Sequence, residues 1–90
     1  MITSRQLRAA RALAGFDQAA LAKAAHLSLP TIQRMEASDG VVRANVDSLM
    51  KLIAALERAG IELINEGAAS GGGGRGVRLK MPATPLRGRR

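Results

Sequence analysis

The chain has 90 residues, 47% of them hydrophobic, with no cysteine, one histidine, a formal net charge of +7 and a pI near 11.6. That length holds one domain with a core of modest size and no separate catalytic domain, and the lack of cysteine excludes a disulfide framework, a thiolate metal site and a cysteine nucleophile. No apolar run approaches the roughly 20 residues of a membrane span, and Arg5, Arg8 and Arg11 are spread through a helical pattern instead of preceding an apolar block, so a cytosolic, unprocessed chain is expected, stabilised by packing alone.

A first helix is predicted from about Ser4 to Ala14. Thr3 is its N-cap, with Gln6 three residues on at capping-box spacing, and Gly15 supplies a left-handed stop. Leu7, Ala10, Arg11 and Ala14 follow the i, i+3, i+4, i+7 rule and form the buried stripe, with Leu13 at its flank. An arginine thus lies on an apolar stripe.

The second helical pattern runs from Asp17, a good N-cap, to Ala25. Phe16 before the cap can staple onto Leu21, while Leu21, Ala22 and Ala25 face inward and are small enough to let another helix come close. The third, Ser28 to Glu36, repeats the device with Ser28 as cap, Leu27 as staple and Ile32 as its mate. Pro30 falls in the first turn, where its missing N–H costs nothing. Only a few residues separate these two patterns. The spacing is too tight for helices packed along their lengths and suits two helices crossing steeply, as in a helix-turn-helix.

A fourth helix is predicted from about Val46 to Ala59, capped by Asn45, stopped by Gly60, and apolar along Leu49, Leu52, Ile53 and Leu56. The loop before it, Ala37 to Ala44, carries the turn signal Asp39-Gly40 and one base, Arg43. After Gly60 the period changes to two. Residues 61–65 and 77–80 read as short strands joined across Gly71 to Gly74, hence a hairpin that needs the helices or a second copy to cover it. From Met81 on, Pro82, Pro85 and the cluster Arg87, Arg89, Arg90 read as a disordered basic tail.

Charge follows this division. Residues 1 to 66 carry eight lysines and arginines against all seven acids, a balance of +1, whereas residues 67 to 90 carry six basic residues and no acid. A basic chain suggests a polyanionic partner, but the helical part must bind one through placement of charge and not through its sum.

Gln18, Leu21, Ala22, the turn near His26, Leu27-Ser28, Thr31-Ile32 and Arg34-Met35-Glu36 together resemble the phage-repressor type of helix-turn-helix, the Cro/cI or XRE family. The resemblance covers about residues 4 to 59, and small bacterial members with a following strand and basic tail look most similar. It implies a mostly α fold, a four- to five-helix repressor-like domain with a short C-terminal β-hairpin or strand. The expected organisation is a DNA-binding domain over 1–60, a strand region for dimerisation over 61–80 and the basic tail over 81–90. One departure is His26, where the family usually carries glycine because the turn needs a left-handed residue; histidine tolerates that conformation at some cost.

In this family the second helix of the motif enters the major groove. Here Ile32, Met35 and Glu36 take its inner stripe, leaving Leu29, Pro30, Gln33, Arg34 and Ala37 outside. Arg34 suits guanine O6 and N7, Gln33 suits adenine, and Leu29 with Pro30 can press on thymine methyls, although Pro30 is also explained as a helix start. Gln18 matches the family's phosphate-binding glutamine, with Thr31, Lys23 and Arg43 as second-rank phosphate candidates. Arg11 and Glu36, each a charge on an apolar stripe, should pair, since a lone buried charge is prohibitively costly; the resemblance implies the same bridge.

The expected function is therefore a sequence-specific, double-stranded DNA-binding transcriptional regulator, a repressor because no activation or ligand domain is visible, located in the cytoplasm on the nucleoid. A homodimer reading two half-sites is expected, joined through Ile61, Leu63, Val77 and Leu79. Two alternatives are an antitoxin that binds both DNA and a toxin protein, and a protein-interaction module that has lost DNA binding. An enzyme is not expected, nor a cofactor or metal: His26 is the one histidine, no carboxylates have metal-ligand spacing, and the glycine run lacks the strand-glycine-helix context of a nucleotide site.

Overall fold

A computed structural model describes residues 2–65 and 73–80. Among them the element order is α1 (Ser4–Ala14), α2 (Gln18–Ala25), α3 (Leu29–Ala37), α4 (Val46–Arg58), β1 (Ile61–Ile64) and β2 (Gly76–Leu79). The fold is mostly helical with one two-stranded antiparallel sheet, as expected. The basic tail anticipated over residues 81–90, with Arg87, Arg89 and Arg90, lies outside the described residues.

Each helix begins where a short polar side chain can take up an otherwise unpaired N–H. Asp17 accepts from the Ala20 N–H at 2.7 Å, Ser28 from Thr31 at 3.2 Å and Asn45 from Ser48 at 2.8 Å. Thr3 and Gln6 complete the capping box: the Gln6 N–H donates to Thr3 Oγ1 at 3.1 Å and the Thr3 N–H to Gln6 Oε1 at 3.0 Å. The α2–α3 turn is made by His26, whose φ of 57° and ψ of 41° are left-handed, so the strain anticipated at this departure from glycine is present.

The helices meet in one core. Leu7 and Ala10 of α1, Leu21, Ala22 and Ala25 of α2, Ile32 and Met35 of α3, and Leu49, Leu52, Ala55 and Leu56 of α4 are all buried, with Phe16 and Leu27 packed against them in the staple positions. Two further members come from outside the helices. Ile2 and Val42 are buried because residues 2–4 run antiparallel to residues 40–42, with Val42 N–H donating to Ile2 O at 2.9 Å and Ser4 N–H to Gly40 O at 2.8 Å. Leu13 is exposed, and on α4 Ala55 takes the interior place expected for Ile53, which is half-buried one step round the helix from Leu52.

β1 and β2 pair with each other, Ile61 opposite Leu79 and Leu63 opposite Val77. Directly opposed and alternate residues share a face, so these four form one apolar surface, and α1 and α4 lie against the sheet. Ile61 is fully buried, Leu63 and Val77 pack on the core, and Leu79 at the rim stays 42% exposed. Three of these four side chains cover the chain's own core, so a second chain joined at Ile61, Leu63, Val77 and Leu79, as the sequence suggests, would have to pair along the strand edges. Gln6 ties the sheet down. Although only 3% exposed, it is satisfied on both ends, its Nε2 donating to the Ile64 and Gly76 carbonyls at 2.9 and 3.1 Å. Across the outer face Arg78 Nε donates to Glu62 Oε1 at 2.7 Å, holding the Glu62 carboxyl below its usual range; this exposed contact is complete above the carboxyl's unfolded pKa and fades as pH falls through the lowered folded value.

Two substitutions test this account in opposite directions. Gln6→Leu removes the donor to both strand carbonyls and the acceptor of the cap, and is expected to lower stability by about 1–3 kcal/mol in urea unfolding, with faster hydrogen exchange in the hairpin. His26→Gly relieves the left-handed strain and is expected to raise stability by roughly 0.5–1 kcal/mol.

Candidate nucleic-acid interface

Helix α3 separates its residues by face. Ile32, Met35 and Glu36 are buried; Leu29, Pro30, Gln33, Arg34 and Ala37 are exposed, as the periodicity predicts. Pro30 sits in the first turn and interrupts no hydrogen bond. Leu29 is 38% exposed, an apolar side chain on the outer stripe. Thr31 is half-buried with its hydroxyl 2.8 Å from that of Ser28, and Arg34 Nη2 reaches back to Thr31 Oγ1 at 3.5 Å, a contact long enough to be exchanged readily. Two polar side chains capable of reading base edges, Gln33 and Arg34, thus project from neighbouring positions of one short helix.

What holds that face outward is the other end of the helix. The Glu36 side chain is 5% exposed, and Arg11 meets it with two bonds, Nε to Oε2 at 2.6 Å and Nη2 to Oε1 at 3.1 Å. Arg11 Nη1 also donates to the Phe16 carbonyl at 3.2 Å. Hydrogen bonding to Glu36 raises the Arg11 pKa still further above its ordinary value, so the guanidinium is charged at every accessible pH. The expected pairing of Arg11 and Glu36 is present, in the fork geometry that makes arginine-carboxylate contacts strong.

Two more residues converge on Glu36. Gln18 Nε2 donates to Glu36 Oε1 at 3.0 Å, and Arg8 Nη1 donates to the Glu36 backbone carbonyl at 2.6 Å. The Gln18 amide must present nitrogen here because an ionised carboxylate only accepts, and the NH₂ group keeps a second hydrogen for another acceptor. Gln18 is the first residue of α2, beside the unpaired N–H groups of that helix start. Gln18, the expected phosphate anchor, is therefore tied to the residue that fixes the rotation of α3. Arg8 was not singled out; its position one turn before Arg11 was the available signal.

A second group forms where α3 passes α4. Thr31 and Arg34 of α3, Arg43 of the loop, and Asn45 and Ser48 at the start of α4 surround a hollow of about 220 Å³. The loop is held there by Ser38, whose Oγ donates to the Arg34 carbonyl at 3.3 Å and accepts from the Arg43 N–H at 3.4 Å. Two guanidinium groups and a helix N-terminus around one hollow favour an anion, although Asp47 in the first turn of α4 offsets part of that field. Asn45 and Ser48 carry no sequence signal beyond that of a helix cap. Lys23 is not gathered into this group. It lines a separate hollow of about 400 Å³ with Phe16, His26 and Arg58.

Residues 4–62, from the start of α1 into β1, match the family model of a helix-turn-helix domain. No curated protein matches the chain.

The Glu36 cluster makes a stability prediction that is independent of any ligand. Arg11→Met leaves a buried carboxylate without its counter-charge and is expected to cost roughly 3–5 kcal/mol, whereas Arg11→Met combined with Glu36→Leu should recover much of the loss. Thermal or urea unfolding of the single and double variants measures both, and equal stability of the two would contradict the pairing.

Proposed function

The chain belongs to the helix-turn-helix domain family, and from that premise we propose that it is a sequence-specific, double-stranded DNA-binding transcriptional regulator of the XRE type, acting in the cytoplasm as a repressor. The observation that carries the reading is the pairing of an exposed Gln33–Arg34 face with a buried, fully hydrogen-bonded Glu36 on the same helix. A recognition surface needs side chains that are free to bond and a helix that is not free to turn.

In this reading the N-terminal half of α3 enters the major groove. Arg34 donates two bonds to guanine O6 and N7, and Gln33 forms the bidentate pair with adenine, each contributing roughly 1–3 kcal/mol of discrimination. Leu29 and the Pro30 ring present apolar surface to thymine methyls. Phosphates are held on both sides of the groove, by Gln18 with the α2 N-terminus and by Thr31 and Arg43 with the start of α4, which position the reader without specifying sequence. Repression then requires only occupancy of the site, and two copies on inverted half-sites about one helical turn apart would supply the affinity that a single small reader lacks.

Selection of bound sequences from a random duplex pool is expected to return a short motif. Arg34→Ala should relax that motif at one base position, whereas Arg43→Ala should weaken binding to all sequences alike and reduce the slope of log affinity against log salt by about 1. A motif unchanged by Arg34→Ala would remove Arg34 from the reader.

A further inference from the structure

A hollow of about 730 Å³ opens where the first half of α1, the loop after α3 and the start of β2 meet, and none of the exposed α3 residues lines it. Its wall carries Arg5 and Arg8, one turn apart on the outside of α1, with Arg75 on the hairpin and Asp39 on the loop. Three guanidinium groups there outweigh one carboxylate. The first turn of α1 holds no acidic side chain, so the field of its N-terminus adds to theirs, unlike that of α4 with Asp47.

One residue of the wall is out of keeping with an ordinary surface hollow. Ser4 is only 3% exposed, and although its N–H donates to the Gly40 carbonyl at 2.8 Å, its hydroxyl has no hydrogen-bond partner among the described residues. A buried, unpaired hydroxyl costs free energy that alanine would not. The arginines of α1 also have donors to spare. Arg5 has no polar partner among the described residues, and Arg8 spends Nη1 on the Glu36 carbonyl and keeps its other N–H groups. Across the hollow Arg75 is held by Asn65, whose Oδ1 accepts from Nη1 at 3.4 Å.

We propose that this hollow binds a small anion from solution that carries two or more phosphoryl groups, its oxygens accepting from Arg5, Arg8 and Ser4 Oγ. Phosphoryl oxygens match the planar fork of a guanidinium, and cations on two walls, α1 and the hairpin, suit a ligand charged at both ends. No aromatic ring lines the hollow for a base to stack on, so recognition is of the phosphates and not of what they are attached to. A duplex presents its phosphates on a convex rod, which cannot meet a hydroxyl recessed to this degree. The site is joined to the rest of the molecule through two of its wall residues. Arg8 holds the carbonyl of Glu36, and Ser38 holds the Arg34 carbonyl and the Arg43 N–H, so an occupant is felt at the C-terminal end of α3.

The test is a titration of the full, isotope-labelled chain with pyrophosphate at fixed ionic strength, followed through its backbone amide shifts, with sulfate as the comparison. The amides of residues 4–9, 37–40 and 74–76 should move together and saturate, with pyrophosphate bound on the order of tenfold more tightly than sulfate. Arg5→Gln, at an exposed position that the fold does not use, should weaken binding by a similar factor, and Arg43→Gln should leave it unchanged. Ser4→Ala should weaken it severalfold while the thermal unfolding midpoint stays the same or rises, a combination that a merely structural serine would not give. Shifts centred on residues 31, 34, 43, 45 and 48, equal affinity for the two anions, or full affinity in Arg5→Gln would overturn the proposal. So would amides of the hollow that respond to a random-sequence duplex and not to pyrophosphate, which would make it a contact for the DNA backbone. Each of these results leaves the reading by α3 untouched.

Discussion

One buried carboxylate organises the molecule. Removing Glu36 from water costs several kcal/mol, and the structure offsets this with two bonds from Arg11, one from Gln18 and, on the neighbouring backbone carbonyl, one from Arg8. These donors come from α1 and α2, so the charge at the end of α3 is tied to both other helices of the N-terminal half. The cluster need add little net stability to matter. It permits one rotation of α3 about its axis, and in that rotation Gln33 and Arg34 face outward while Ile32 and Met35 face the core. Specificity of orientation, set by a buried residue, is the physical basis of the outward face that we propose reads DNA.

A second buried polar group plays the corresponding part at the other end of α1. Gln6 closes the capping box with Thr3 and, through its amide nitrogen, bonds two strand carbonyls across the hairpin. Without that attachment a four-residue, two-stranded sheet would be marginal. With it, Ile61, Leu63 and Val77 become a lid over α1 and α4. The small core gains apolar cover that four short helices cannot supply alone, and the hairpin is part of the domain and not an appendage to it.

Much of this was legible from local chemistry. Thr3, Asp17, Ser28 and Asn45 mark the four helix starts because a short side-chain oxygen next to a periodic run has few other uses, and the inner stripes of α2 and α3 follow from a period of 3.6. Arg11 and Glu36 were legible for a different reason: each is a charge on an apolar stripe, and the cost of leaving either alone points to the other. What escaped depends on contacts distant in sequence. Ile2 and Val42 enter the core only because residues 2–4 pair with 40–42, the second bonds of Gln6 reach strands 58 and 70 positions away, and Ala55 displaces Ile53 because the partner surface covers one side of the α4 stripe more than the other. Exposure of Val46 and Met50 belongs to the same class, since no rule internal to the helix says which flank will lack a neighbour.

Gln18 and α3 are coupled through the Glu36 carboxylate, and in the proposed function both contact DNA together. The most direct measurement is nuclear magnetic resonance chemical-shift mapping of the labelled chain on addition of its selected duplex. The side-chain amide of Gln18 and the backbone amides of residues 29, 31–34 and 43–48 are predicted to move together, while the surface around Lys23, His26 and Arg58 stays unchanged. Shifts centred on that surface or on the outer face of the hairpin, with α3 unaffected, would contradict it.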